Sequence, residues 1–78
     1  MKPIYESKYL QLGLKIAYYR KLKGMTQEQL AEAIDRTPAF IGHVEAPNIS
    51  KAISLDTLFD IATALGVPPH KFLILEED

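Results

Sequence analysis

Two helix-start signals placed close together constrain the fold of this 78-residue chain more than any other feature. The segment TQEQ at positions 26–29 matches a capping box, in which the first and last side chains satisfy each other's backbone N–H groups. Thr37 followed by Pro38 is a second start, because proline is tolerated at the first helical position. Only Asp35 and Arg36 remain between the two predicted short helices, so the spacing predicts a helix-turn-helix.

Further start and stop signals predict helices on both sides of this pair, whereas strand patterns are nearly absent. A first helix is predicted over residues 8–23 and the third over residues 38–46, before Pro47. The predicted N-caps are Ser7, Thr26, Thr37 and Ser54, and the predicted helix ends are Gly24 and Gly66. A final short helix is predicted to begin at Pro68-Pro69 and to run through Leu73. We therefore expect an all-α fold, a compact five-helix bundle that contains the helix-turn-helix.

Composition narrows the class of protein. The chain has no cysteine, its longest apolar run is FLIL at 72–75, and residues 1–6 lack the apolar stretch of a signal peptide. We expect a soluble, cytoplasmic protein with an N-terminal arm at 1–7, one domain at 8–75 and an acidic tail at 76–78. The formal net charge of −1 argues at first against nucleic acid, but without the three acids of the tail nine basic residues face seven acidic ones.

The order of these elements resembles the lambda-repressor-like family, which includes the Cro proteins and Xre-type regulators. The resemblance rests on the segments MTQEQLAEAI at 25–34, IGHVE at 41–45 and LDTLFDIATALGV at 55–67, and on Arg20. It implies sequence-specific binding of double-stranded DNA by a transcriptional regulator, with the third helix in the major groove. It also implies an ion pair between Arg20 and Glu45; the alternative is two unrelated surface charges.

The resemblance places Pro38, Ala39 and His43 at base-facing positions. The first two offer only apolar contact, for instance with thymine methyl groups, and His43 is the one candidate hydrogen-bonding side chain. For Phe40 two alternatives stay open, a base or sugar contact and packing over the helix junction as part of the core. The alternative for His43 is an ordinary surface histidine.

A second set of residues is expected to contact phosphates. Gln27 and Thr37 stand at the starts of the second and third helices, and the loop after the third helix supplies Asn48, Ser50 and Lys51. A simple polar loop would have the same composition. Arg36 in the turn is either a phosphate contact or a solvated charge.

Other functions are weighed against this one. No Cys nucleophile, Gly-rich phosphate loop or metal-ligand spacing is present, so we expect no enzyme, cofactor or metal site. A protein-interaction module, such as an antitoxin or a regulator's partner, is the serious alternative. Phe72 and Leu73 are expected in the core, whereas Ile74 and Leu75 are expected to form a homodimer contact. For the arm, packing of Ile4 and Tyr5 or disorder is preferred over a minor-groove contact by Lys2.

Overall fold

The computed structural model describes residues 1–76, and that range is helical without strands. The α-helices are α1 (Glu6–Leu22), α2 (Gln27–Ala33), α3 (Pro38–Glu45) and α4 (Leu55–Leu65), and 3-10 turns cover Pro3–Tyr5 and Pro69–Leu73. In the described range the fold is thus four α-helices with a 3-10 turn at each end, which corrects the expected five-helix bundle. Glu77 and Asp78 of the predicted acidic tail lie outside the described residues.

Three of the predicted N-caps are confirmed by side-chain hydrogen bonds. The capping box is complete, since Gln29 N–H donates to Thr26 Oγ1 over 3.0 Å and Thr26 N–H donates to Gln29 Oε1 over 2.8 Å. Thr37 Oγ1 accepts from Phe40 N–H over 3.2 Å, and Ser54 Oγ accepts the backbone N–H three residues on over 3.1 Å. These bonds satisfy backbone donors that the first turn of a helix otherwise leaves unpaired.

The predicted N-cap at Ser7 is wrong. The 3-10 turn Pro3–Tyr5 runs directly into α1, and Glu6 N–H donates to the Pro3 carbonyl. The helix therefore begins at Glu6, and Ser7 already lies in its first turn, where Gln11 Nε2 donates to its hydroxyl over 3.1 Å. The proline set this start, because its fixed φ favours helical backbone one turn earlier than the serine.

In the turn between α2 and α3, Asp35 adopts the left-handed conformation, with φ at 57°. Aspartate tolerates this region better than most residues. Arg36 N–H then donates to the carbonyl of Ala31 over 2.9 Å, which closes the end of α2. The chain thereby reverses within a few residues, and α3 packs against α2.

The core lies between all four helices and the C-terminal 3-10 turn. Its most deeply buried large side chains are Ile16, Leu30, Ile41, Leu58, Ile61 and Phe72. The expectation that Leu73 shares the core with Phe72 is wrong, because Leu73 is 49% exposed. A 3-10 turn has only three residues per turn, so neighbouring residues point about 120° apart and Phe72 alone faces inward.

Gly13 explains how closely α1 and α3 approach each other. A Cβ added at Gly13 would overlap the carbonyl oxygen of Val44, which is backbone and cannot rotate away. The two helices are therefore in close contact at this glycine. It places the C-terminal half of α3 directly against α1 and leaves the N-terminal half projecting from the domain.

Candidate nucleic-acid interface

A buried charge network fixes the C-terminal end of α3. Arg20 Nε donates to Glu45 Oε2 over 2.7 Å and Arg20 Nη2 donates to Glu45 Oε1 over 2.8 Å, with side chains 8% and 5% exposed. Arg20 Nη1 also donates to the carbonyl of Met25 over 2.8 Å. The hydrogen bond to Glu45 is the main reason that the pKa of Arg20 is raised. The two-point geometry compensates for removing both charges from water and ties α1 to the end of α3.

Gln27 extends this network toward the surface. Its Nε2 donates to Glu45 Oε1 over 3.1 Å, and its side chain is half-buried rather than fully projecting into solvent. Its Oε1 lies 3.7 Å from where a Cβ on Gly42 would stand. Gly42 is consequently half-buried beneath the start of α2. Sequence reasoning did not anticipate this contact, because residues 27 and 45 belong to different helices.

The N-terminal half of α3 presents a short exposed face. Thr37, Pro38, Ala39 and His43 are all exposed, while Ile41 and Val44 on the opposite face are buried. The exposed set therefore shares one side of one helix, pointing away from the core. Hydrogen bonding on this face comes from Thr37 and His43, because the other two side chains are apolar.

Phe40 is half-buried and packs against the core. Its ring is also approached by two cations: the guanidinium carbon of Arg36 lies 3.8 Å from the ring centroid, and Lys51 Nζ lies 5.6 Å from it. Both distances fall within the range of a cation–π interaction. Of the two alternatives for Phe40, the structure shows packing on the helix junction. The sequence pattern did not reveal that two cations lie beside its ring.

The loop between α3 and α4 borders the same face. Asn48 is exposed, whereas Ser50 and Lys51 are half-buried. An open depression of about 500 Å³ is lined by residues of this loop and by two others: His43, Ile49, Ser50, Lys51, Ala52 and Met1. Ser50 and Lys51, two of the three loop residues expected to contact phosphate, thus line the same depression as His43 of α3, whereas Asn48 does not.

Two other features are absent from residues 1–76, a metal-binding cluster and a membrane-spanning helix. No group of three or more His, Cys, Asp or Glu side chains in that range could hold a metal ion. No helix there combines the length and apolar character required to cross a membrane.

A short α2, a tight left-handed turn and an α3 whose N-terminal half projects from the domain define a helix-turn-helix domain. The sequence matches the helix-turn-helix family HTH_3 over residues 16–72, and the chain belongs to this Xre and lambda-repressor-like family. The match runs from the middle of α1 to the C-terminal 3-10 turn, so it includes Arg20, both helices of the helix-turn-helix and Glu45.

A solved structure shares this fold. The chain is similar to the structure described as the Clp gene regulator ClgR from C. glutamicum, with a TM-score of 0.75 and 28% identity. The similarity covers 95% of this chain and 88% of that one. No curated protein matches the sequence.

Proposed function

We propose that the chain is a sequence-specific, double-stranded DNA-binding transcriptional regulator whose α3 enters the major groove. The observation that carries this proposal is the exposed face of α3, fixed from behind by the buried Arg20–Glu45 pair. A helix held in this way can enter a groove without losing its own packing. The family and the regulator with the similar structure support the same role.

In this proposal only a few side chains of α3 contact the base edges and so distinguish one DNA sequence from another. Pro38 and Ala39 make apolar contact with base edges, where the thymine methyl group is the matching feature. His43 supplies a hydrogen bond to a base. With so small a set, one copy of the domain discriminates between sequences only modestly, which favours binding in pairs.

Phosphate contacts in this proposal come from the start of α2 and from the segments at both ends of α3. Gln27 uses one amide N–H for Glu45, and its second N–H is available to a phosphate oxygen. The Thr37 hydroxyl accepts from Phe40 N–H and can donate its own hydrogen outward. Asn48, Ser50, Lys51 and Arg36 complete the set of proposed phosphate contacts.

Homodimerisation through the C-terminal segment is part of the proposal. Ile74 is 62% exposed and Leu73 49% exposed, although both are large aliphatic side chains. Beside them lies an apolar groove of about 280 Å³ between the start of α1 and the start of α4, which Leu75 also lines. In this proposal a second copy covers this region and brings a second α3 to the same duplex, with half-sites about 34 Å apart.

A second candidate function is a protein-interaction module that uses the fold for pairing with another protein. The observation in its favour is the combination of this exposed apolar segment with the two apolar side chains, Pro38 and Ala39, on the reading face. The two functions differ in one measurable respect, since only the DNA-binding regulator selects particular duplex sequences.

The roles of the two residue sets are tested by comparing variants on a panel of duplexes. We expect Gln27→Ala to weaken binding to all sequences about equally, whereas His43→Ala changes the preference at particular bases. His70→Ala is the matched control, because His70 is an exposed histidine on the C-terminal 3-10 turn. Equal behaviour of the His43 and His70 variants would contradict the proposed base contact.

A further inference from the structure

Two cationic side chains from different segments of the chain lie beside the Phe40 ring. Arg36 belongs to the turn before α3, and Lys51 belongs to the loop after α3, yet both charged groups approach the same ring, at 3.8 and 5.6 Å from its centroid. The two charges therefore lie within about 10 Å of each other, which is about one Debye length at 0.1 M salt.

Neither cation is in an ion pair with a carboxylate of residues 1–76. Among residues 1–76 the ion pair is that of Arg20 with Glu45, and no carboxylate lies within ion-pair distance of Arg36 or Lys51. Two like charges at this separation repel each other, and an anion bound beside both of them would remove that repulsion. The ring attracts each cation but carries no net charge, so it leaves the pair electropositive.

Resting on the DNA-binding function proposed above, we infer that Phe40 is a positioning residue whose ring holds Arg36 and Lys51 together as one binding group for phosphates of a duplex. This role replaces the base contact that the sequence suggested for Phe40. The ligand is the sugar-phosphate backbone, so Phe40 contributes to affinity for every sequence and not to the choice among sequences.

The geometry suits phosphate because a guanidinium held near a ring keeps its N–H groups available. Arg36 has five N–H donors in a planar fork, and two of them can bind one phosphate together. Phe40 is itself fixed, since it packs on the core and its N–H donates to Thr37 Oγ1. A cation ordered before binding loses less conformational entropy when the phosphate arrives.

The test is a double-mutant cycle in which the salt dependence of DNA binding is measured for each variant. We would measure the dissociation constant of a labelled mixed-sequence duplex of about 30 base pairs, long enough for two half-sites, over a series of salt concentrations. The variants are Phe40→Leu, Arg36→Gln and the double variant, and Phe59→Leu on α4 is the control. Phe59 is 47% exposed and lies on a helix outside the proposed interface.

We expect Arg36→Gln to lower the magnitude of the slope of log K against log salt by about 0.9, the loss of one phosphate contact. Phe40→Leu should flatten the slope by a similar amount and weaken low-salt binding about 2- to 5-fold, and the double variant should add nothing further. Phe59→Leu should match the wild type. Additive effects of the two substitutions, or an unchanged slope in Phe40→Leu, would overturn the inference. In that case the proposed function still stands as long as the wild-type protein binds the duplex.

A variant that keeps the core intact covers the case in which Phe40→Leu unfolds. Arg36→Lys preserves the charge but loses the planar group that lies against the ring. Because the charge is kept, we expect the slope to stay near the wild-type value while the affinity falls toward that of Arg36→Gln, and an affinity equal to wild type would overturn the inference. A wild-type protein that binds no duplex at the lowest salt would overturn both the inference and the proposed function.

Discussion

Arg20 on α1 holds both carboxylate oxygens of Glu45 on α3, over 2.7 and 2.8 Å, and the two side chains are almost completely removed from solvent. This contact joins residues 25 positions apart in the sequence and holds the C-terminal end of α3 against α1. Because Glu45 also accepts a hydrogen bond from Gln27, the same carboxylate links the core to the proposed phosphate contacts.

Arg20→Met should destabilise the protein by about 3–5 kcal/mol, because it leaves the Glu45 carboxylate buried without its partner. The control is Lys21→Met, a neighbouring exposed position whose change should stay within about 0.5 kcal/mol. Urea denaturation followed by circular dichroism gives both free energies of unfolding. A similar small loss in both variants would show that the pair contributes no more than a surface contact.

The contribution of Arg20 should not depend on pH around neutrality. Its pKa is raised in the folded state, chiefly by the hydrogen bond to Glu45, so its stabilisation is fully present below the pKa of an unfolded arginine. That stabilisation is lost only as pH rises through the still higher folded value. The difference in unfolding free energy between wild type and Arg20→Met should therefore be equal at about pH 7 and about pH 9. A difference that shrinks over this interval would contradict the assignment.

Gly13→Ala and Gly42→Ala should have opposite effects on stability. At Gly13 the new Cβ meets the Val44 carbonyl, so α1 and α3 must separate and about 1–3 kcal/mol is lost. At Gly42 the nearest atom is Gln27 Oε1 at 3.7 Å, an ordinary contact, so alanine should gain up to about 1 kcal/mol from helix propensity. Thermal unfolding of the two variants checks the prediction, and a stabilised Gly13→Ala would contradict the close helix contact.

Ile74→Glu should convert the proposed homodimer into a monomer. The matched control is Tyr18→Glu, because Tyr18 is 59% exposed on the outer face of α1, close to the 62% of Ile74. Sedimentation velocity at high protein concentration should show a dimer for wild type and Tyr18→Glu, and a monomer for Ile74→Glu. A strictly monomeric wild type would contradict the dimer, and dissociation of the Tyr18 variant alone would place the interface on α1.

The short sequence patterns at helix starts correctly predicted the helix caps, because a cap depends only on residues that are close in the sequence. The caps at Thr26, Thr37 and Ser54 follow from side chains within a few residues of each helix start, and all three are confirmed. The final helix was misjudged because periodicity does not separate a 3-10 turn from a short α-helix. At the N-terminus, a proline started the helix before the serine that was expected to cap it.

Tertiary contacts limited what the sequence could predict for the candidate site. The resemblance, rather than any pattern within α3, placed Pro38, Ala39 and His43 on one face of this helix, and all three side chains are exposed. The approach of Lys51 to Phe40 depends on the path of an irregular loop, which no periodicity describes. The hydrogen bond from Gln27 to Glu45 likewise arises only when α2 and α3 have packed.

The central claim, that α3 reads duplex sequence, is tested most directly by selecting bound sequences from random duplex DNA with the wild-type protein. The account predicts enrichment of an inverted repeat with half-sites about one helical turn apart, and loss of part of that preference in His43→Ala but not in His70→Ala. Binding without enrichment of any sequence, or no binding at moderate salt, would contradict it.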